Sequence, residues 1–119
     1  MPHLVIDFSA NLADFPEAQI LKDVNAALCS HPEVKDEADV KSRTNRIAHY
    51  EIGNQPANRA FVHAQLRLLS GRSPEAKKEL AERIAAVLRQ HTPRPAGVMV
   101  QLSVEILDMD RGSYVKERL

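Results

Sequence analysis

The sequence predicts an α/β (α+β) fold in which two tandem βαβ units form a four-stranded sheet with two helices on one face. Three observations lead there. Apolar residues recur with strand, helix and strand periodicity, and the same order then repeats. A sharp helix start at Ser73-Pro74 opens the helix of the second unit, and prolines close both helical stretches. The chain has 119 residues, enough for one sizeable core and not for two. Residues 1–119 are therefore read as one domain, with pseudo-repeats at about 2–57 and 58–110.

Residues 3–8, with β-branched Val5 and Ile6 inside an apolar run, read as a short buried strand. From about 16 to 29, Ile20, Leu21, Val24, Ala27 and Leu28 recur at helical spacing; Pro16 suits the first turn and His31-Pro32 stops the helix. Residues 34–45 are polar and charged, and Val40-Lys41-Ser42-Arg43 reads either as an extended strand or as a loop carrying basic side chains. Ile47 to Ile52 is the expected next strand, followed by a Gly53-Asn54-Gln55-Pro56 turn. Phe61 to Leu69 reads as a strand, and Ser70-Gly71-Arg72-Ser73 turns out of it. Ser73 is a favourable N-cap with Pro74 at N1, although Ala76 stands at N3, where a capping box has Glu or Gln. The helix from 74 to about 90 sets Ala76, Leu80, Ile84, Val87 and Leu88 on one face and Lys77, Lys78, Glu82 and Arg89 on the other. Val98 to Leu107 alternates with period two and is the final strand. Each βαβ crossover is expected to be right-handed, with its two strands parallel.

Composition narrows the partners. Hydrophobic residues make up 44% and charged residues 27%, as in an ordinary soluble globular protein. Sixteen basic residues balance sixteen acidic ones, so net charge gives no reason to expect nucleic acid or an anionic membrane. No apolar stretch approaches the ~20 residues that span a bilayer. Asp7 and Asp14 interrupt any secretory h-region. The lone Cys29 cannot pair within the chain and fits a reducing, cytoplasmic setting, where it reads as a small buried hydrophobe. His3 and His63 lie in strand segments without a spaced thiolate or carboxylate partner, so no metal site is expected.

Residue 2 carries the chemistry. Pro2 follows the initiator methionine directly and precedes the apolar run from His3 to Phe8. Removal of Met1 would turn its nitrogen from an amide into a free secondary amine. Terminal amines titrate near pH ~7.7–8.0, and burial or neighbouring cations lower that value. An amine lowered in this way is unprotonated at neutral pH and can act as a general base. Position alone equally suits a proline that merely begins an edge strand, where its missing N–H is harmless.

The run Leu68-Leu69-Ser70-Gly71-Arg72-Ser73-Pro74-Glu75-Ala76-Lys77-Lys78 resembles the strand-to-helix turn of the tautomerase superfamily, with its Gly-Arg-Ser motif. In unfused members the catalytic proline opens the unit that carries this motif. Here the corresponding position falls on Val62, inside the chain, and the proline instead opens the first unit, as a fused duplication implies. Among fused members the chain is most similar to the 5-carboxymethyl-2-hydroxymuconate Δ-isomerases. The likeness runs through Met1-Pro2-His3, Ser42-Arg43, Ala60-Phe61-Val62-His63 with Gly71-Arg72-Ser73, and Leu102-Ser103-Val104-Glu105-Ile106.

The resemblance implies a homotrimer with active sites at subunit interfaces, a small carboxylate substrate, no cofactor and no metal. It implies Pro2 as the proton-shuttling base and Arg72 as the residue that binds a carboxylate and polarises the substrate. Lys41 and Arg43 would add a second cationic site. Where this chain has Val40-Lys41-Ser42-Arg43 the family often has Ile-Arg-Ser-Arg, and lysine keeps the charge but loses the bidentate fork. The implied reaction is keto–enol or double-bond isomerisation of a small unsaturated 2-hydroxy or 2-oxo acid such as 5-carboxymethyl-2-hydroxymuconate, in aromatic catabolism. Two competitors keep the fold: a hydratase or dehalogenase using protonated Pro2 as an acid, and a non-catalytic trimeric scaffold.

Overall fold

One-sided burial along the central strands sets the architecture. The computed structural model describes residues 1–119 and orders them as β1 (His3–Ser9), α1 (Glu17–Cys29), a 3₁₀ turn (Glu37–Asp39), β2 (Lys41–Ile47), β3 (Arg59–Leu69), α2 (Pro74–His91) and β4 (Met99–Met109). In β1, Leu4, Ile6 and Phe8 are fully buried; in β3, Ala60, Val62, Ala64, Leu66 and Leu68 are. Successive side chains of a strand point to opposite faces, so these residues line a single face of the sheet. They join one core with Ile20, Val24 and Leu28 of α1 and Leu80, Ile84 and Leu88 of α2. Both helices thus cover that face, and the other face is bare.

The sheet runs β2-β1-β3-β4. The strands of each unit pair in parallel, β1 with β2 and β3 with β4, while β1 and β3 pair antiparallel at the centre. A pseudo-symmetry follows that reaches single hydrogen bonds. Lys41 N–H donates to the Pro2 carbonyl at 3.0 Å, and Met99 N–H donates to the Asn58 carbonyl at 3.0 Å. Pro2 and Asn58 are therefore equivalent positions, one at the head of each unit.

One expected strand is displaced. The strand expected over Ile47 to Ile52 does not form; the chain is extended over Lys41–Ile47 instead, and Ile47 is its last residue. Of the two readings of the Val40–Arg43 segment, the strand is the one that forms, from Lys41 onward. Polar contacts to α1 replace apolar ones at this edge. Ser42 Oγ donates to Asn25 Oδ1 at 2.7 Å, and Thr44 Oγ1 donates to Glu17 Oε1 at 2.6 Å.

The second helix starts as its sequence requires. Ser73 Oγ accepts from Ala76 N–H at 3.1 Å, with Pro74 in the first turn. The helices are tied to each other by His91 Nε2 to Asp23 Oδ2 at 2.7 Å, and His31 Nε2 from the loop after α1 reaches Glu79 Oε2 of α2 at 2.8 Å. No helix is long and apolar enough to cross a membrane. Ile6→Ala, at a fully buried central position, is expected to cost about 2–5 kcal/mol in denaturant unfolding, and Ser73→Ala about 1 kcal/mol through its lost cap.

Candidate active site

Strand pairing brings the two ends of the argument together. Because β1 runs antiparallel to β3 with His3 opposite Arg67, the residue before β1 lies beside the end of β3 and the turn that follows it. Because β1 is parallel to β2 with His3 opposite Lys41, it also lies beside the head of β2. Pro2 is buried there. A cavity of about 200 Å³ opens at this corner, and Pro2 and Arg72 both line it, with Met1, Leu69, Arg111 and a stretch of the α1–β2 loop.

Local structure aims Arg72. Gly71 turns the chain with φ of 112°, a conformation that side chains resist, although a Cβ there would find ordinary space. Arg72 Nη1 then donates back to the Leu69 carbonyl at 2.7 Å. Its Nε lies 3.5 Å from Glu33 Oε2, an ion pair without hydrogen-bond geometry, so Nε is buried with no hydrogen-bond partner. Glu33 is itself held by its backbone, whose N–H donates to His31 Nδ1 at 3.1 Å. An unspent N–H of a guanidinium is suited to a carboxylate oxygen.

The amine end is crowded with charge. The Met1 ammonium, standing one residue ahead of where a processed chain would carry it on Pro2, lies 3.8 Å from Asp39 Oδ2. Burial pushes this amine below the ordinary range of terminal amines. Asp39 opposes the shift, and the cations of Lys116, Lys41 and Arg72 reinforce it. Asp39 is held at about 2, chiefly by its hydrogen bond from Lys116, with Arg118 adding a second. It therefore stays ionised at any working pH.

The other expected site residues divide. Lys41 does not line the cavity; its Nζ donates to the carbonyl of Asp39, a lining residue, at 2.7 Å, and its charge reaches the Met1 amine. Arg43 is not a lining residue: its Nη1 lies 3.5 Å from His3 Nδ1. His3 also reaches the Tyr114 hydroxyl at 3.0 Å, and burial with neighbouring Lys41 and Arg43 lowers its basicity. His63 bridges Ser103 Oγ and Glu105 Oε2, each at 2.6 Å, in a cluster on the bare sheet face. Cys29 is half-buried and its thiol is pushed up, mainly by burial, so it is not an activated nucleophile.

Asp39, Glu33, Lys35, Asp36, Arg111 and Lys116 are functional neighbours that no sequence motif flags. They come from a loop, the end of β4 and the tail, and only tertiary structure gathers them. A larger hollow of about 420 Å³ lies at the opposite end of the sheet, lined by Arg89, Thr92, Arg94, Val98, Val100 and Leu102. It holds no group that changes charge near neutral pH and so offers no proton carrier.

A family model described as 5-carboxymethyl-2-hydroxymuconate isomerase matches residues 2–118. The chain belongs to this family. No curated protein matches the sequence. Among solved structures, a 5-carboxymethyl-2-hydroxymuconate isomerase from Deinococcus radiodurans R1 is 29% identical, with a TM-score of 0.88 over 99% of this chain and 90% of that one. A 5-carboxymethyl-2-hydroxymuconate delta-isomerase at 22% identity has a TM-score of 0.81 over 100% of this chain and 88% of its own. A fused 4-OT described as a symmetric trimer, at 21% identity, shares the fold with a TM-score of 0.64 over 92% and 87%. The isomerase family and the tautomerase fold are those the resemblance implied, and the chain is an isomerase of that fold.

The amine of the native protein is expected to titrate at lower pH than the same amine in the urea-unfolded chain. The pH dependence of its acetylation, followed by intact mass, measures both; coincident curves would remove the buried, cation-flanked site from the description.

Proposed function

We propose that this isomerase moves a proton within small conjugated 2-hydroxy or 2-oxo acids, using the amine of Pro2 as base once Met1 is removed. The observation that carries the reading is the shared cavity of Pro2 and Arg72, where the amine of Met1, one residue ahead, is lowered by burial and by flanking cations. A base that must collect and return one proton works best with a pKa near the operating pH. Burial supplies that adjustment, and Arg72, Lys41 and Lys116 reinforce it.

The step balances within the substrate. The amine takes a proton from the enol hydroxyl, or from a carbon beside the carbonyl. The electron pair moves along the conjugated chain, and the ammonium gives its proton to another carbon. The negative charge that develops on the oxygen lies within the domain of Arg72, whose buried Nε–H has no other hydrogen-bond partner. Lys41, bonded to the carbonyl of the lining residue Asp39, suits the second carboxylate of a dicarboxylate, and the family description favours 5-carboxymethyl-2-hydroxymuconate as substrate.

The lowered amine also separates the competing readings. A hydratase or dehalogenase that needs a protonated amine requires a raised value, whereas the surroundings here favour the free base. The bare sheet face, which carries Val5, Phe61, Leu69 and Leu107 half-exposed, supports assembly as a homotrimer, the state given for two fused 4-OT proteins of this fold. Light scattering that returned a monomer at micromolar concentration would count against it.

Acetylating the Pro2 amine is expected to lower ketonisation of dienol acids by about 10²–10⁴-fold. Pro2→Ala, which keeps a primary amine, should fall by less. Arg72→Ala is expected to lose about 10²–10³-fold. Parent turnover by the acetylated protein, measured spectrophotometrically, would end the base assignment. Lys41→Arg is expected to improve turnover of dicarboxylates over monocarboxylates, because it restores a bidentate fork.

A further inference from the structure

The C-terminal segment is held to the protein mainly by polar contacts, with the half-buried Tyr114 ring edge-on to His3. After β4, Arg111 Nε donates to the Ser70 carbonyl at 2.6 Å. The Tyr114 hydroxyl meets His3 Nε2 at 3.0 Å, and Lys116 Nζ pairs with Asp39 Oδ1. Arg118 Nη2 then bonds Asp36 Oδ2 at 2.6 Å and Asp39 Oδ1 at 3.2 Å. Between these tethers Val115 is 80% exposed, and Leu119 is fully exposed. No residue of this segment joins the core, so what it chiefly delivers is charge at chosen points.

Those points surround one carboxylate. Asp39 lies 3.8 Å from the Met1 ammonium and lines the same cavity as Pro2, and left alone its carboxylate would favour the protonated form of an amine held there. Four elements present charge to the Met1 amine, one residue ahead of Pro2: Asp39 from the 3₁₀ turn, Lys41 from β2, Arg72 from the β3–α2 turn and Lys116 from the tail. Glu33, Lys35, Asp36 and Arg111 line the same cavity. Glu33 is matched by Arg72 and Asp36 by Arg118, so both are already paired. Of the cavity's carboxylates only Asp39 pairs with the Met1 ammonium, and the tail meets it with ammonium and guanidinium together.

We propose that residues 113–119 form a charge strap of the active site, in which Lys116, seconded by Arg118, cancels the Asp39 carboxylate and so leaves the neighbouring amine a free base. Lys116 is a positioning residue in this scheme: it touches Asp39 and not the reacting atoms. The strap rests on the reading of the Pro2 amine as base, and goes beyond it by assigning what sets the protonation of that base.

The test uses full-length protein with Met1 removed and two readouts: the acid limb of kcat/KM, and the pH dependence of amine acetylation, which needs no turnover. Lys116→Gln is expected to move both to higher pH, with about three- to tenfold less kcat/KM on the acid side. Lys116→Arg should keep the parent profile. Asp39→Asn should move both readouts to lower pH, and the Lys116→Gln/Asp39→Asn pair should return them close to the parent. A merely structural role would lower the melting temperature without a cancelling pair. Unmoved profiles in Lys116→Gln, or a double variant that stays shifted, overturn the strap while the base assignment stands. Parent turnover by amine-acetylated protein overturns that assignment and the strap's purpose with it.

Discussion

β1 is paired on both sides, parallel to β2 and antiparallel to β3, and the rest of the molecule depends on that double pairing. A strand at a sheet edge can fray; one in the middle cannot move without breaking two ladders. With β1 fixed, the residue before it has one place to be, at the corner where β2 begins and β3 ends. The core face of the same strand, Leu4, Ile6 and Phe8, anchors both helices, so the placement of Pro2 is set by the same burial that stabilises the fold. Packing and chemistry share a single strand.

Around that corner, electrostatics alternate in sign over short distances. Arg72 is offset by Glu33, Asp39 by Lys116 and Arg118, and Asp36 by Arg118 again. Pairs of this kind contribute little to stability when exposed. Their effect is on protonation. The Met1 amine responds chiefly to its burial, with Asp39 opposing and Lys116, Lys41 and Arg72 reinforcing the shift. The chain as a whole is neutral, sixteen against sixteen, but this corner carries more cations than anions.

What the sequence discloses follows from which elements bury one face. β1, β3, β4 and α2 alternate or recur cleanly, because their apolar sides meet the core, and their boundaries are readable within about two residues. β2 is legible only as one of two readings of Val40–Arg43, since its helix-facing side is Ser42 and Thr44 bonded to polar groups of α1, and apolarity moves the expected strand toward Ile47 and Ile52 instead. The 3₁₀ turn depends on Asp36 capping Ala38, a signal too local to stand out in a charged stretch. Pro2 and Arg72 can be singled out because one opens the chain and the other sits in a motif. Asp39 and Lys116 cannot, for they are 77 residues apart and meet only through the course of the tail. Arg43 shows the opposite error: it lies two residues from Lys41, which puts it on the same side of β2, yet its guanidinium is drawn to His3.

The matched hydrogen bonds at Pro2 and Asn58 carry a consequence for stoichiometry. The two units place equivalent residues at the two ends of the sheet, but a polypeptide begins only once. Asn58 has its nitrogen locked in a peptide bond, so the corner it occupies can never expose an amine, whatever side chains collect there. Joining two units into one chain therefore halves the number of chain-terminal nitrogens the doubled sheet can hold.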